Sequence, residues 1–84
     1  MKQETITLTT PVTQGSKELN QVDIREPNTG ALRGLDNFSV MRMDVNAHRI
    51  LLPRISNLTT EGYDQLSFSD LCAVQQAVVG FSMN

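Results

Sequence analysis

The stretch Leu51-Leu52-Pro53-Arg54-Ile55-Ser56-Asn57-Leu58-Thr59-Thr60-Glu61-Gly62-Tyr63-Asp64-Gln65-Leu66-Ser67-Phe68-Ser69-Asp70-Leu71-Cys72-Ala73-Val74-Gln75-Gln76-Ala77-Val78-Val79-Gly80-Phe81 decides how the chain is read. It holds a proline-interrupted apolar run, two helix starts and an apolar helix stripe, with almost nothing that could do chemistry. Ser67-Phe68-Ser69-Asp70 is the clearer start. A Ser N-cap with an acid three residues on serves the unpaired N–H groups of a first turn and the positive end of the helix dipole. From there Leu71, Val74, Val78 and Phe81 fall at i, i+3, i+7 and i+10, one face of an α-helix. Val79 and Cys72 broaden that stripe beyond what a small body needs. Gly80 predicts the helix end.

Upstream, Asp44 is a candidate N-cap, and Val45, His48, Leu52 and Ile55 recur on one helical face that Ile50 and Leu51 widen. Pro53 removes a backbone donor and crowds the carbonyl four residues earlier, so a helix of about three turns must kink or stop there. Thr59 or Thr60 then caps a short turn of helix through Gln65.

The N-terminal quarter has the other period. Thr5-Ile6-Thr7-Leu8-Thr9-Thr10 alternates apolar and β-branched polar residues, as a half-buried strand does, and Pro11 ends that strand or confines it to an edge. Gln14-Gly15-Ser16-Lys17 is a turn, and Leu19 to Arg25 a second strand with Val22 and Ile24 on one face. Leu19 is out of phase with those two, which predicts a bulge or a late strand start. After Pro27, Asn28 or Thr29 caps a short helix that Gly34 weakens or ends. Residues 37–42 show no clear period and read as a connection, with Met41 and Met43 as gap-fillers. The expected fold is α+β: one small domain over residues 1–84, an N-terminal β-hairpin at about 5–25, then two or three helices within about 28–81.

Composition narrows the function. A chain of 84 residues buries only roughly 60–65% of the surface its unfolded form exposes, so its core is marginal. With no disulfide pair and no plausible metal cluster, association with itself or a partner is the usual remedy. All seven basic residues lie in the first 54 positions with six of the nine acids, and residues 55–84 carry only Glu61, Asp64 and Asp70. No basic stripe emerges, which argues against nucleic acid, since phosphate neutralisation needs clustered Lys and Arg. The N-terminus lacks a secretory apolar region, and no apolar run approaches the roughly 20 residues that span a bilayer. Cys72, the single cysteine, reads as a small buried hydrophobe in a reducing compartment. The expectation is a soluble intracellular protein.

No catalytic, cofactor or metal site is expected. A lone His48 on an apolar helix face is a packed residue more often than a ligand, and no second His exists to share a zinc ion. Cys72 lies mid-helix without an activating cation, so a nucleophile–base pair with His48 is disfavoured. Asp23 with Glu26, and Asp64 with Asp70, read as solvated charges and helix-start helpers rather than a general acid–base pair. Arg33, Arg42, Arg49 and Arg54 read as a solvated face, with Arg54 placed to anchor a partner carboxylate. The glycines are scattered and build no phosphate-cradling loop.

Several segments also carry a resemblance. In order along the chain come Ile6-Thr7-Leu8, Pro11-Val12, Gln21-Val22, the run Glu26-Pro27-Asn28-Thr29-Gly30-Ala31-Leu32-Arg33-Gly34-Leu35, then Leu52-Pro53-Arg54-Ile55, Leu58-Thr59, Asp70-Leu71 and Val78-Val79-Gly80-Phe81. This order and spacing resembles the tail assembly chaperones of the peduoviruses, temperate contractile-tailed phages, and a looser version occurs in Mu-like tail assembly proteins. The resemblance departs at residues 36–46, which are more polar here. It implies a protein of the infected host cytoplasm that binds the phage tape measure protein while the tail tube polymerises, is absent from the finished virion, and has a longer frameshift product of the same gene as a partner. It implies no catalytic residue and no cofactor.

The residues support that role independently, if less sharply. A tape measure protein is a long helix-rich chain whose apolar seam needs cover, and a small protein with a wide apolar helix stripe can supply it by helix-in-groove packing, many copies acting together. Leu71, Val74, Val78, Val79 and Phe81, with Leu51, Leu52 and Ile55, are the expected partner-binding residues of a homo-oligomer. For most of these residues the core reading takes precedence, and some must do both. Two other classes stay open: a structural tail component retained in the virion, and a small DNA-binding regulator.

Overall fold

The structure is a computed structural model and describes residues 2–83. Strand β1 (Gln3–Gln14) and strand β2 (Lys17–Arg25) form a two-stranded antiparallel hairpin. It turns at Gly15, whose φ of +63° lies in the left-handed region that a side chain disfavours. Pairing runs from Gln3↔Arg25 to Thr7↔Gln21 and resumes from Val12↔Leu19 to Gln14↔Lys17. Between the two blocks, residues 8–11 of β1 stand opposite Asn20 alone. The bulge is therefore in β1, across from the position where the phase of Leu19 suggested it. Pro11 sits inside this unpaired stretch, where its missing N–H costs no ladder bond, so β1 runs past it.

Amides released by the bulge find their partner in a helix that starts far along the chain. Helix α4 (Phe68–Phe81) has Ser67 as N-cap and Asp70 as its third residue. Asp70 is 2% exposed and accepts from Thr9 N at 3.0 and 3.1 Å, from Thr10 N at 3.1 Å and from Thr9 Oγ1 at 3.0 Å. Sequence reading makes Asp70 a solvated helper of the helix start; it is instead a buried tie between α4 and the hairpin. Burial pushes its pKa up, but the bonds from Thr9, Thr10 and Ser67 outweigh this and leave it below 3.8.

Among the described residues four α-helices follow the hairpin, where two or three were expected. A 3₁₀ helix (Thr29–Leu32) comes first, capped by Asn28 Oδ1, which accepts from Ala31 N at 2.9 Å. Helix α1 (Asn37–Met41) is the addition. One turn is too short to show a period, and its signal was the cap: Asp36 Oδ1 accepts from Phe38 N at 2.8 Å. Helix α2 (Val45–Ile55) starts at Asp44 as expected and continues two residues beyond Pro53. Helix α3 (Thr60–Asp64) is capped by Thr59, and α4 runs through Gly80 instead of ending there.

One core joins these elements. Leu8, Val12, Val22 and Ile24 of the hairpin meet Leu51, Leu52 and Ile55 of α2, Tyr63 of α3, and Val74, Ala77, Val78 and Phe81 of α4. Val45, expected on the inner face of α2, is 51% exposed, and Ile50 is 48% exposed. His48 is fully buried: its Nε2–H donates to Val40 O at 2.8 Å, and Nδ1 has no partner. Burial depresses its pKa below 6.5, against the opposing effects of the Val40 carbonyl and Asp44. At the hairpin tip, Gln14 Oε1 accepts from Thr59 N at 2.7 Å, and Gly62 leaves the space that the Gln14 side chain occupies.

This packing makes Asp70 and His48 the residues to test. Asp70→Asn loses the charge-assisted bonds to the bulge and should lower unfolding free energy by about 2 kcal/mol in urea titration. Asp64→Asn, which removes only an exposed pairing with Arg49, should change it far less. The second test concerns acid. Because His48 is held neutral, its contribution to stability is full above 6.5 and is withdrawn as pH falls from there through the depressed folded-state value. His48→Gln keeps a donor for Val40 without titrating, so melts from about pH 7 to about pH 5 should show a flatter decline than the parent.

Candidate partner-binding surface

Helix α4 is apolar on two sides. Its inner side carries Val74, Ala77, Val78 and Phe81 into the core, and its outer side carries Phe68, Cys72 and Val79, followed just past its end by Met83. Phe68 is 81% exposed and Met83 79%, while Cys72 and Val79 are half-buried. Cys72 is therefore not the buried hydrophobe that its position suggested. The outer side also has no charge, since its exposed polar residues are Ser69 and Gln76 and Asp70 is turned inward.

Of the residues expected to bind a partner, Leu51, Leu52, Ile55 and Val74 lie wholly within the core. Val78 and Phe81 are buried too, but they form one wall of a small cleft of about 120 Å³. Pro27 and Leu32 form the other wall, with Val40 and Met41 of α1 beside them and Glu26 as the charged lining residue. Leu71 and Val79 remain part-exposed on α4. Helix α1, which lines the cleft through Asn37, Val40 and Met41, also carries Phe38, which is 80% exposed. Met41, read from the sequence as a gap-filler, is instead 39% exposed, and Phe38 and Phe68 gave no signal because a single apolar residue in a polar stretch has no period.

The cleft is where distant segments converge. Arg54, at the end of α2, donates through Nη1 to Ala31 O at 2.9 Å and to Arg33 O at 2.7 Å. Arg25 in turn donates through Nη2 to Arg54 O. The guanidinium expected to anchor a partner carboxylate is thus spent on backbone carbonyls, and it fastens residues 29–34 against α2. Arg49 is likewise paired, with Nε to Asp64 Oδ1 at 2.8 Å and Nη2 to Asp64 Oδ2 at 2.9 Å. The result is that Glu26-Pro27 and Leu32 from one segment face Val78 and Phe81 from another across a gap sized for a single apolar side chain. Nothing in the lining is arranged for acid–base or nucleophilic chemistry. Among the described residues, no group of His, Cys, Asp and Glu is placed to hold a metal ion, and no helix is long and apolar enough to cross a membrane.

Comparison with known proteins agrees with an assembly role. The model of the family described as "Phage tail assembly chaperone proteins, E, or 41 or 14" matches residues 5–82. Tail assembly protein E of Escherichia phage P2 is 37% identical over 82 residues, covering 95% of this chain and 90% of that protein. Tail assembly protein E′ of the same phage is 37% identical over 82 residues as well, but it is longer, and the match covers 58% of it. No solved structure matches.

If Arg54 is what holds one wall of the cleft, Arg54→Ala should raise amide hydrogen exchange at Ala31, Arg33 and Leu35, whose N–H groups close the turns of that wall. Exchange in the paired part of the hairpin should stay unchanged; a uniform rise across the chain would show that Arg54 acts only on global stability.

Proposed function

The chain belongs to the phage tail assembly chaperone family, a family of assembly factors rather than of enzymes, and from that premise we propose that it binds the phage tape measure protein and keeps it soluble while the tail tube forms. The observation that carries this reading is the apolar cleft between residues 26–32 and the end of α4, flanked by the exposed Phe38 and Met41. A protein of this size that leaves large apolar side chains in water beside a small cleft has a surface suited to another chain. A tape measure protein is long and helix-rich, with an apolar seam that aggregates if left uncovered. One Leu or Met from that seam fills about 120 Å³, and the Glu26 carboxylate favours a Lys or Arg one turn away on the same helix.

Each contact of this kind is weak by itself, which suits a protein that must leave. Many copies along one long partner give strong net cover, and tube subunits displace them one by one. On this reading the chaperone acts in the host cytoplasm and is absent from the finished virion. A longer product carrying the same region, as the longer E′ relative suggests, would add a second binding module.

Co-expression with the tape measure protein of the same phage tests the proposal. The parent chain should hold it in the soluble fraction as a complex with several copies bound. Phe38→Asp with Met41→Asp should abolish the complex, and circular dichroism should stay unchanged because both side chains are exposed. A tape measure protein that precipitates beside abundant folded chain would sink the reading, and so would detection of the chain in purified particles by mass spectrometry.

A further inference from the structure

The outer side of α4 lines no part of the cleft, whose residues on this helix are Val78 and Phe81, and it carries a pattern of its own. Its apolar residues are Phe68, Cys72, Val79 and Met83, so the steps between them are four, seven and four. That spacing reads the same in both directions. A helix face with such symmetry is complementary to itself when two copies meet antiparallel: Phe68 falls opposite Met83 of the second copy, Cys72 opposite its Val79, and Gln76 near its Gln76.

Electrostatics favour the same occupant. No charged side chain lies on this side of α4, so a second copy meets no like-charge repulsion, and the one acid of the helix, Asp70, is buried against the bulge. The last turn of α4 holds no basic residue to offset the negative end of the helix dipole. An antiparallel neighbour supplies the missing complement, because its positive N-terminal end lies beside that turn. A closed two-fold contact needs a patch that complements itself, and this patch does.

We propose that the outer side of α4 is a homodimer interface in which two copies pair antiparallel, Cys72 against Val79. The contact is confined to one helix of 14 residues, some 21 Å long and about 10 Å wide, short of the roughly 800 Å² per partner of a standard interface. The dimer is therefore weak and reversible. It leaves both clefts open on the far sides of the two helices, so on the reading given above each dimer grips a long partner at two points; the pairing itself does not depend on that reading.

Disulfide trapping in the full chain tests the geometry. In the antiparallel pair the two native Cys72 residues stand about 10 Å apart along the axis, too far to bond, so the parent chain should stay uncrosslinked under mild oxidation. Val79→Cys places a new thiol opposite Cys72 of the second copy and should give a disulfide-linked dimer in high yield. Adding Cys72→Ala to it should abolish the product, because the two introduced thiols are again about 10 Å apart. Sedimentation should show the 9.3 kDa chain moving toward twice that mass as concentration rises from about 5 µM to about 500 µM, and Phe68→Asp should hold it monomeric. Ready crosslinking of the parent, or of the double variant, would overturn the antiparallel register; a monomer at every concentration would overturn the dimer. A dimer that fails to retain the tape measure protein removes the proposed function and leaves the pairing, and capture by a strict monomer does the reverse.

Discussion

The fold depends on one carboxylate. A two-stranded hairpin is marginal in water unless its apolar face is covered, and here the covering helix must be placed against a strand that is locally unpaired. Asp70 meets both needs. Four contacts from Thr9 and Thr10 hold it in the bulge of β1, and its position in the first turn of α4 brings the inner side of that helix down on Leu8, Val12 and Val22. The helix end and the bulge each have backbone groups that their own element leaves unpaired, and a single side chain links the two sites. Without that link, the helix apolar on two sides has little to choose which side it buries.

That choice shapes the surface. Burying Val74, Ala77, Val78 and Phe81 leaves Phe68, Cys72, Val79 and Met83 turned outward, while the end of the inner stripe stops short of full cover and becomes a cleft wall. The small size of the chain explains why apolar residues remain uncovered. A hairpin and helices of this size bury one layer of side chains, so the second apolar side of α4 stays part-exposed. The surplus divides into an open cleft and an uncharged stripe on the other side of α4.

Segments that carry the family likeness prove to be neighbours in space. Glu26, Pro27 and Leu32 of the run at residues 26–35 meet Val78 and Phe81 of the closing segment at the cleft, and Arg54 of the Leu52-Pro53-Arg54 step fastens itself to the first of these through Ala31 O and Arg33 O. Pro53 fits this arrangement. It withholds a donor near the end of α2, in the last turn before Arg54 reaches across to the carbonyls of Ala31 and Arg33. Several of these positions build or fasten the walls of the cleft, so the segments that carry the family likeness are joined by the fold as well as by sequence.

Local chemistry was legible in the chain itself. The strand period of residues 5–10, the pairing of Val22 with Ile24 on one face, and the caps at Asp44, Thr59 and Ser67 all act over a few residues, so the α+β order of hairpin then helices could be read directly. Helix α1 was not, because a five-residue turn shows no period, and neither was the side of the chain on which the bulge sits, because that depends on a partner some sixty positions away. The same limit hid which apolar residues are surface. Periodicity identifies Leu71, Val74, Val78 and Phe81 as residues of one helix, but their burial depends on which side of that helix docks. The docking is decided by Asp70 finding the amides of Thr9 and Thr10, and by Arg54 finding the carbonyls of residues 31 and 33, contacts between distant parts of the chain that exist only once it has folded.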